Sequence, residues 1–432
     1  MSIPPAYPLI EGFWIRNYKA FRQIAIGSSF QQSVVMDFEG DVVPYELTPF
    51  TLFVGDSGTG KSTILDVFSF LADCIHYGIN DALTRRGGFE SVYHFGGSGP
   101  ISLGVVYRPC AEQRSITYIL NIDRDKRTLR PFVETEAIIY RDHQPGSQPR
   151  PILLFQNGEK HIRLLQPWTG ASGSDLDQIK RTSSHHLGLT AFANIEDVPD
   201  IPHFKLYLSK FFTANYLSGN AAGLSPPKFK IAPSGNLAHD LKRLREKHPG
   251  EFANILNVIA QRLPGVEEIL FEHSEAGRSI LSLKVSEHDT AIYPAQLGEG
   301  TLRLLSHLTL LEDSAPTPLL GIEEPAAFMG YSQIVAFVKL IAYHIRELGG
   351  TQFLATTNNN VLIDQMDPTE VWFLTRTSLG SIQVSRGVDE LQFLNVDLNS
   401  VGPYWYSQYL YTEQGENASD SVIHRSAILT EK

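Results

Sequence analysis

The chain has 432 residues, 42% of them hydrophobic, with a formal net charge of −11 and two cysteines. That length and content support one large or two medium globular domains with a real core, and the acidic balance argues against a mainly basic, sequence-independent DNA-binding surface while leaving a local basic groove open. Cys74 and Cys110 make no disulfide framework, no basic region precedes an apolar stretch in Met1–Pro8, and no apolar run approaches about 18 residues; the expectation is a cytoplasmic protein without signal peptide or membrane span.

Residues 9–54 read as β structure. Phe13-Trp14-Ile15 and Ile24-Ala25-Ile26 are candidate strands, with Arg16–Phe21 between them. Phe50–Val54 is a short apolar, β-branched and aromatic run, as a buried parallel strand should be. Directly after it comes Gly55-Asp56-Ser57-Gly58-Thr59-Gly60-Lys61-Ser62-Thr63, a complete GxxxxGK[ST] phosphate loop. Ile64, Leu65, Val67, Phe68, Leu71, Cys74 and Ile75 then recur at helical spacing. A strand, a glycine loop and a helix N-terminus make an anion site, where backbone N–H groups and the helix dipole favour phosphate. The pattern predicts Lys61 on the β- and γ-phosphates of ATP and the Ser62 hydroxyl on Mg²⁺.

Further along, Ile101, Leu103, Val105 and Tyr107, then Ile116, Tyr118 and Leu120, alternate as antiparallel strands do. Residues 143–200 are richer in Gly, Pro, Ser, Gln and His and read as a loop-rich or helical insertion. Helix returns over 236–262, with Asn236 as a cap, Leu237, Leu241 and Leu244 on one face, and a break at Pro249. In Leu297-Gly298-Glu299-Gly300-Thr301-Leu302-Arg303 a glycine turn opens a helix, a second phosphate-facing N-terminus. Pro318–Ile322 is a short apolar strand that ends in two acids. Glu323 suits the Mg²⁺ shell, and Glu324 suits a general base that polarises the attacking water. Gln352–Thr357 is another apolar strand, with a polar end that leads into Asn358-Asn359-Asn360; read alone, this is an Asn-rich turn. Val371–Leu374 and Ser381–Val384 close the strand set, and the tail after Glu413 is polar.

Three other features have plainer readings. Lys242, Arg243, Arg245 and Lys247 form a basic helix stretch that suits a nucleic-acid backbone but more often marks a solvated face. His185-His186, after Thr182-Ser183-Ser184, lacks further ligands at metal-site spacing. Tyr404, Trp405 and Tyr406 suit packing better than a stacking platform.

Taken together, Arg16–Phe21, the phosphate loop, Phe89–Val105, Gly235–Leu237, Leu241–Arg245, Leu297–Leu305, Glu323–Pro325, Thr356-Thr357 and Gly402–Trp405 resemble the SMC-like, ABC-type ATPases of the AAA_15/AAA_21 and OLD-like group. The resemblance implies an α/β P-loop head with an antiparallel β lobe and a mixed insertion. Residues 1–142 and 291–412 would form the head, 143–290 the insertion, and 413–432 a flexible tail. It further implies that Gly298 and Gly300 contact the γ-phosphate of ATP in an opposing subunit, so that the protein is a homodimer or higher oligomer. Asn358 stands at the switch position, where the group has histidine; Gly298 replaces its serine and Glu323 its aspartate. These departures imply slow hydrolysis, with ATP acting as assembly glue or a state switch. Members of the group are bacterial sensors or assembly platforms, often in anti-phage systems such as Septu, PARIS and retron-associated modules. No TOPRIM nuclease domain follows Trp405, so the resemblance implies a separate effector, a nuclease or toxin. The alternative is a repair or chromosome-associated ATPase that binds DNA. A transporter ATPase subunit would have no need of the long interval between Thr63 and Leu297.

Overall fold

A computed structural model of the chain describes residues 7–27, 46–109, 115–141, 150–155, 161–164, 177–180, 187–192, 200–215, 237–262, 265–273, 279–286, 291–312, 317–377 and 380–389, with 402 and 405. Cys110, the Thr182–His186 loop, the Asn236 cap, Tyr404, Tyr406 and the tail from 413 lie outside the described residues.

Strands β1 (Leu9–Tyr18) and β2 (Phe21–Ile26) form a tight hairpin, longer than the apolar triplets suggest. The polar Arg16–Tyr18 stretch stays in β1 because Asn17 is buried and its side-chain amide donates to the carbonyls of Ser98 (2.6 Å) and Pro100 (3.0 Å). β3 (Phe50–Gly55) leads into α1 (Lys61–Tyr77), where all seven apolar positions read from the sequence, from Ile64 to Ile75, are buried. Short helices α2 (Ile79–Thr84) and α3 (Phe89–Val92) follow, then strands β4 (Ile101–Arg108), β5 (Ser115–Arg124) and β6 (Pro131–Arg141).

The sheet does not stop where the loop-rich insertion was expected to begin. Strands β7 (Arg150–Phe155), β8 (His161–Leu164) and β9 (Asp177–Lys180) extend it to eight antiparallel strands in the order β2-β1-β4-β5-β6-β7-β8-β9. Their signal is weak because β8 and β9 are only four residues long and half or more polar, and because Pro151, at the start of the apolar β7, sits at a register shift of the β6–β7 pair, one of the places where a strand accepts proline. Helices α4 (Gly188–Phe192) and α5 (Asp200–Ser209) come next, and then β10 (Phe212–Asn215). Helices α6 (Leu237–Lys247) and α7 (Pro249–Arg262) break at Pro249 as the sequence suggests. Strands β11 (Val266–His273) and β12 (Ser279–Val285) make a separate hairpin. The rest alternates: α8 (Glu299–Leu311), β13 (Leu319–Glu323), α9 (Tyr331–Tyr343), β14 (Gln352–Thr357), α10 (Asn360–Asp364), β15 (Val371–Arg376) and β16 (Ile382–Arg386).

A six-stranded sheet in the order β10-β13-β14-β3-β15-β16 is parallel from β10 to β15. β10 therefore belongs to this sheet although it lies within 143–290; four residues are too few to show a period. The sheet is covered on both faces, which explains why its strands read as continuous apolar runs. Phe53 joins the core shared with α1 and the eight-stranded sheet, whereas Leu52 and Val54 join the core under α6 to α10. Buried Gln352 fastens the two sheets together. Its Oε1 accepts from Ile10 N (2.8 Å) and the Tyr207 hydroxyl (3.1 Å), and its Nε2 donates to Ile10 O (2.9 Å) and Thr48 O (3.2 Å). Every hydrogen-bonding capacity of that amide is used.

Glu11 and Arg108 form a buried ion pair between β1 and β4. Burial, with the Glu46 carboxylate, holds the Glu11 carboxyl up at about 7 against the pull of Arg108. The folded chain then binds this proton more tightly than the unfolded chain does. Its contribution to stability is complete below about 4.5 and is lost as pH rises through about 7. Denaturant titrations from about pH 4 to pH 8 should show this fall in the wild type and a flatter profile in Glu11→Gln; parallel profiles would contradict it.

Candidate active site

The parallel strands end together, and their C-terminal ends carry the polar residues singled out in the sequence. β3 delivers Gly55, the loop runs over Asp56, Ser57, Gly58 and Thr59, and α1 starts at Lys61 after Gly60. Gly60 has φ +93, and a Cβ there would lie 2.6 Å from the Phe21 ring, so this position requires glycine on both counts. Thr59 steadies the loop by donating from its hydroxyl (2.8 Å) and its N–H (3.2 Å) to the Asp56 carbonyl. Thr63 is buried and its N–H returns to Gly60 O (3.0 Å).

Lys61 Nζ curls into the loop and donates to the carbonyls of Gly55 (2.6 Å) and Asp56 (3.0 Å). Burial pulls its pKa down, while Glu324, Asp56 and Glu323 pull it back up. The Ser62 hydroxyl donates directly to Glu323 Oε1 at the end of β13. Register explains the meeting: Glu323 lies beside Thr356, and Thr357 beside Val54, which feeds the loop.

Glu324 leaves the strand with φ +46, an uncommon backbone conformation for a non-glycine residue. Its N–H donates to Thr356 O (2.9 Å), and its Oε2 accepts from the Thr357 hydroxyl (3.3 Å). Burial raises its carboxyl pKa, against Lys61, the Asn358 N–H and the Thr357 hydroxyl. A carboxyl raised in this way is better matched to general-base work near neutral pH than an ordinary one. Asn358 meets Glu324 through its backbone N–H, and the residue itself is exposed.

The glycine turn lies elsewhere. Gly298 is exposed at the N-terminus of α8. Gly300 is buried against the turn after β13, where an added Cβ would be 2.4 Å from Phe328 O. α8 packs on α6, α7 and α9.

Ser62 and Glu323 fit a magnesium ion. They are two hard oxygen donors in direct contact at a helix N-terminus, and Mg²⁺ takes one or two carboxylates plus phosphate oxygens and waters rather than a full protein cage. Among the described residues no group of three or more His, Cys, Asp or Glu could hold a metal.

Sequence reasoning assigned no role to several side chains that the structure places here. Arg303 Nη1 donates to Glu324 O, and His307 Nε2 lies 3.2 Å from Pro325 O. Arg376, at the end of β15, donates to Gly58 O (2.9 Å). A signal for Arg303 and His307 was present: two basic residues interrupt the apolar run Leu302–Leu308 four positions apart, on one helix face. The α6 basic stretch is not a free solvated stripe. Lys242 and Arg243 are half-buried, and Arg245 lies over the Phe271 ring (4.5 Å). Trp405 is buried and stacked on Phe373 (5.5 Å), so packing is its role.

The chain belongs to the family described as "AAA domain, putative AbiEii toxin, Type IV TA system", whose model matches residues 50–364, from β3 to α10. The phosphate loop between β3 and α1, the acid-tipped β13 and the antiparallel lobe give it the α/β P-loop fold expected from the sequence. Among solved structures it is similar to an SmcHead bound to the C-winged helix domain of ScpA, at 13% identity and TM-score 0.45, over 88% of this chain and 99% of that one. It is also similar to the SMC head domain from Thermotoga maritima, at 14% identity and TM-score 0.41, over 87% and 98%. A third is the Smc head with an extended coiled coil bound to the C-terminal domain of ScpA derived from Pyrococcus furiosus, at 12% identity and TM-score 0.46, over 90% and 99%. No curated protein matches the sequence. Among the described residues no helix is long and apolar enough to cross a membrane.

Proposed function

We propose that this ATPase binds ATP with Mg²⁺ through Lys61 and Ser62, closes around it as a homodimer or higher oligomer, and hydrolyses it slowly with Glu324 as base. In this reading it serves as a sensor or scaffold that controls a separate effector in bacterial anti-phage defence. The observation that carries the chemistry is the convergence of Lys61, Ser62, Glu323 and Glu324 at one end of the parallel sheet, from segments far apart in the chain. Mg²⁺ supplies charge neutralisation at the phosphates, and the residues do the rest. The loop and the α1 N-terminus hold the phosphates, Lys61 reaches the β/γ oxygens, and Glu324 accepts a proton from the attacking water.

The case for assembly rests on the α8 turn. Gly298 is exposed, and the first turn of α8 offers backbone N–H groups to an anion. Closed two-fold pairing would set that turn against the partner's γ-phosphate. The family's description as a putative toxin of a type IV toxin–antitoxin system supports a function exercised together with a second protein. The test is light scattering of Glu324→Gln with ATP and Mg²⁺. The expected result is at least a dimer that reverts on nucleotide removal. A strict monomer at micromolar protein would remove the sandwich from the proposal.

A further inference from the structure

Glu324 owes its orientation to a turn that is held from outside. Two bulky or charged residues of that turn, Glu324 (φ +46) and Phe328 (φ +63), occupy the left-handed backbone region, which strongly favours glycine. Such residues persist only where their surroundings over-determine them. Here they are β14 on one side, through Thr356 O and the Thr357 hydroxyl, and one helix, α8, on the other. Arg303 is only 2% exposed, and its guanidinium donates to the Glu324 carbonyl. One helical turn later, His307 is 4% exposed, and its Nε2 lies 3.2 Å from the next carbonyl, that of Pro325. A carbonyl oxygen only accepts, so Nε2 carries the proton. The His307 ring packs on Phe337 with centroids 4.8 Å apart, which fixes its tilt. Arg303 also lies over the Phe328 ring at 5.6 Å. Gly300, one turn earlier, is packed so closely on Phe328 O that no side chain fits. Three successive positions on one face of α8 thus hold the 324–328 turn.

We propose that Arg303 and His307 are positioning residues for hydrolysis: by gripping the Glu324 and Pro325 carbonyls they fix the strained turn, so that the Glu324 carboxyl is aimed at the phosphate loop only while α8 is seated. The inference rests on Glu324 being the base, and it adds a consequence. The same helix that begins at the exposed Gly298 turn ends its first two turns on Glu324, so anything that shifts α8 also shifts the base. Burial and the neighbouring Arg303 push the His307 imidazole down to about 3, so it stays neutral and acts as a fixed donor rather than a switchable charge.

The experiment compares Arg303→Leu, Arg303→Lys and His307→Gln in the full chain, measuring kcat, KM and ATP affinity by fluorescent-nucleotide titration. A displacement of the base of about 1 Å is enough for a loss on the order of a hundredfold. The expected result is a fall in kcat of roughly ten- to a hundredfold in Arg303→Leu, with smaller falls in the other two and affinity within about threefold of wild type. A loss in kcat with affinity and thermal melt preserved marks positioning, because a merely structural defect would lower all three together. A folded Arg303→Leu or Arg303→Lys that retains wild-type kcat overturns the inference. So does a fall in ATP affinity and melting temperature that accompanies the fall in kcat, which would mark a merely structural role. If Arg303→Leu fails to fold, Arg303→Lys and His307→Gln decide in its place. The ATPase reading itself fails separately, if turnover does not depend on Lys61.

Discussion

Lys61→Ala yields a folded protein whose affinity for ATP falls by at least about a hundredfold. The size follows from what the amine does in the loop. A hydrogen bond to a charged group contributes about 1.5–3 kcal/mol, and each 1.4 kcal/mol is tenfold in affinity. Lys61 is held inside the loop by Gly55 O and Asp56 O, so it is already where the phosphates must arrive. Burial lowers its pKa, but Glu324, Asp56 and Glu323 oppose that, so the amine faces the nucleotide next to a strongly acidic neighbourhood. Removing it leaves those carboxylates facing the triphosphate without a cation, and like-charge repulsion adds to the lost contact. Lys61 lies at the half-exposed start of α1 and outside the cores, so the fold should survive. Calorimetric titration with ATP and Mg²⁺ measures the loss, and a thermal melt checks the fold. Unchanged affinity in a folded variant would sink the nucleotide-site assignment.

What was legible in the sequence is what neighbours along the chain decide. β3, the loop and α1 are contiguous, each constrained by local sterics and a single period, and they come out as read. The contacts that turn them into a site are not local. Ser62 and Glu323 stand 261 positions apart, and Gln352 grips Ile10 from 342 positions away. Sequence patterning suggests that Glu323 ends a strand; only the parallel register of β13, β14 and β3 brings it to Ser62. The same limit hid β7 to β9 and β10, whose membership of their sheets depends on pairing partners rather than on their own alternation. Arg303 and His307 were visible as basic residues in an apolar helix, but their targets are backbone carbonyls, and no residue type at 324 or 325 announces that.

The last expectation concerns turnover. Glu324→Gln should lower hydrolysis to background, because the amide cannot take a proton, while the Thr357 contact and ATP binding are retained. In the wild type the base must be ionised, and its pKa is raised, chiefly by burial. The rate should therefore rise with pH across an acid limb that lies above the ordinary carboxylate range, and Glu324→Gln should have no such limb. Even on the plateau, turnover should fall well below the roughly 10 s⁻¹ median for enzymes. Three substitutions argue for this: Gly298 offers no hydroxyl, Asn358 cannot become a cation, and Glu323 is long enough to engage Ser62 directly. Glu323→Asp withdraws the carboxylate by one methylene, ~1.5 Å, freeing the Ser62 hydroxyl for the ion. Asn358→His places an imidazole beside Glu324, to which residue 358 now offers its backbone N–H. The double variant should accordingly turn over faster than wild type in steady-state phosphate release, with Glu324→Gln as the blank. A wild-type rate of many turnovers per second would refute the switch reading. A slow wild type that the double variant does not accelerate would place the limit in the closure of the two half-sites, and saturating the assay with the partner effector would then be the step that raises the rate.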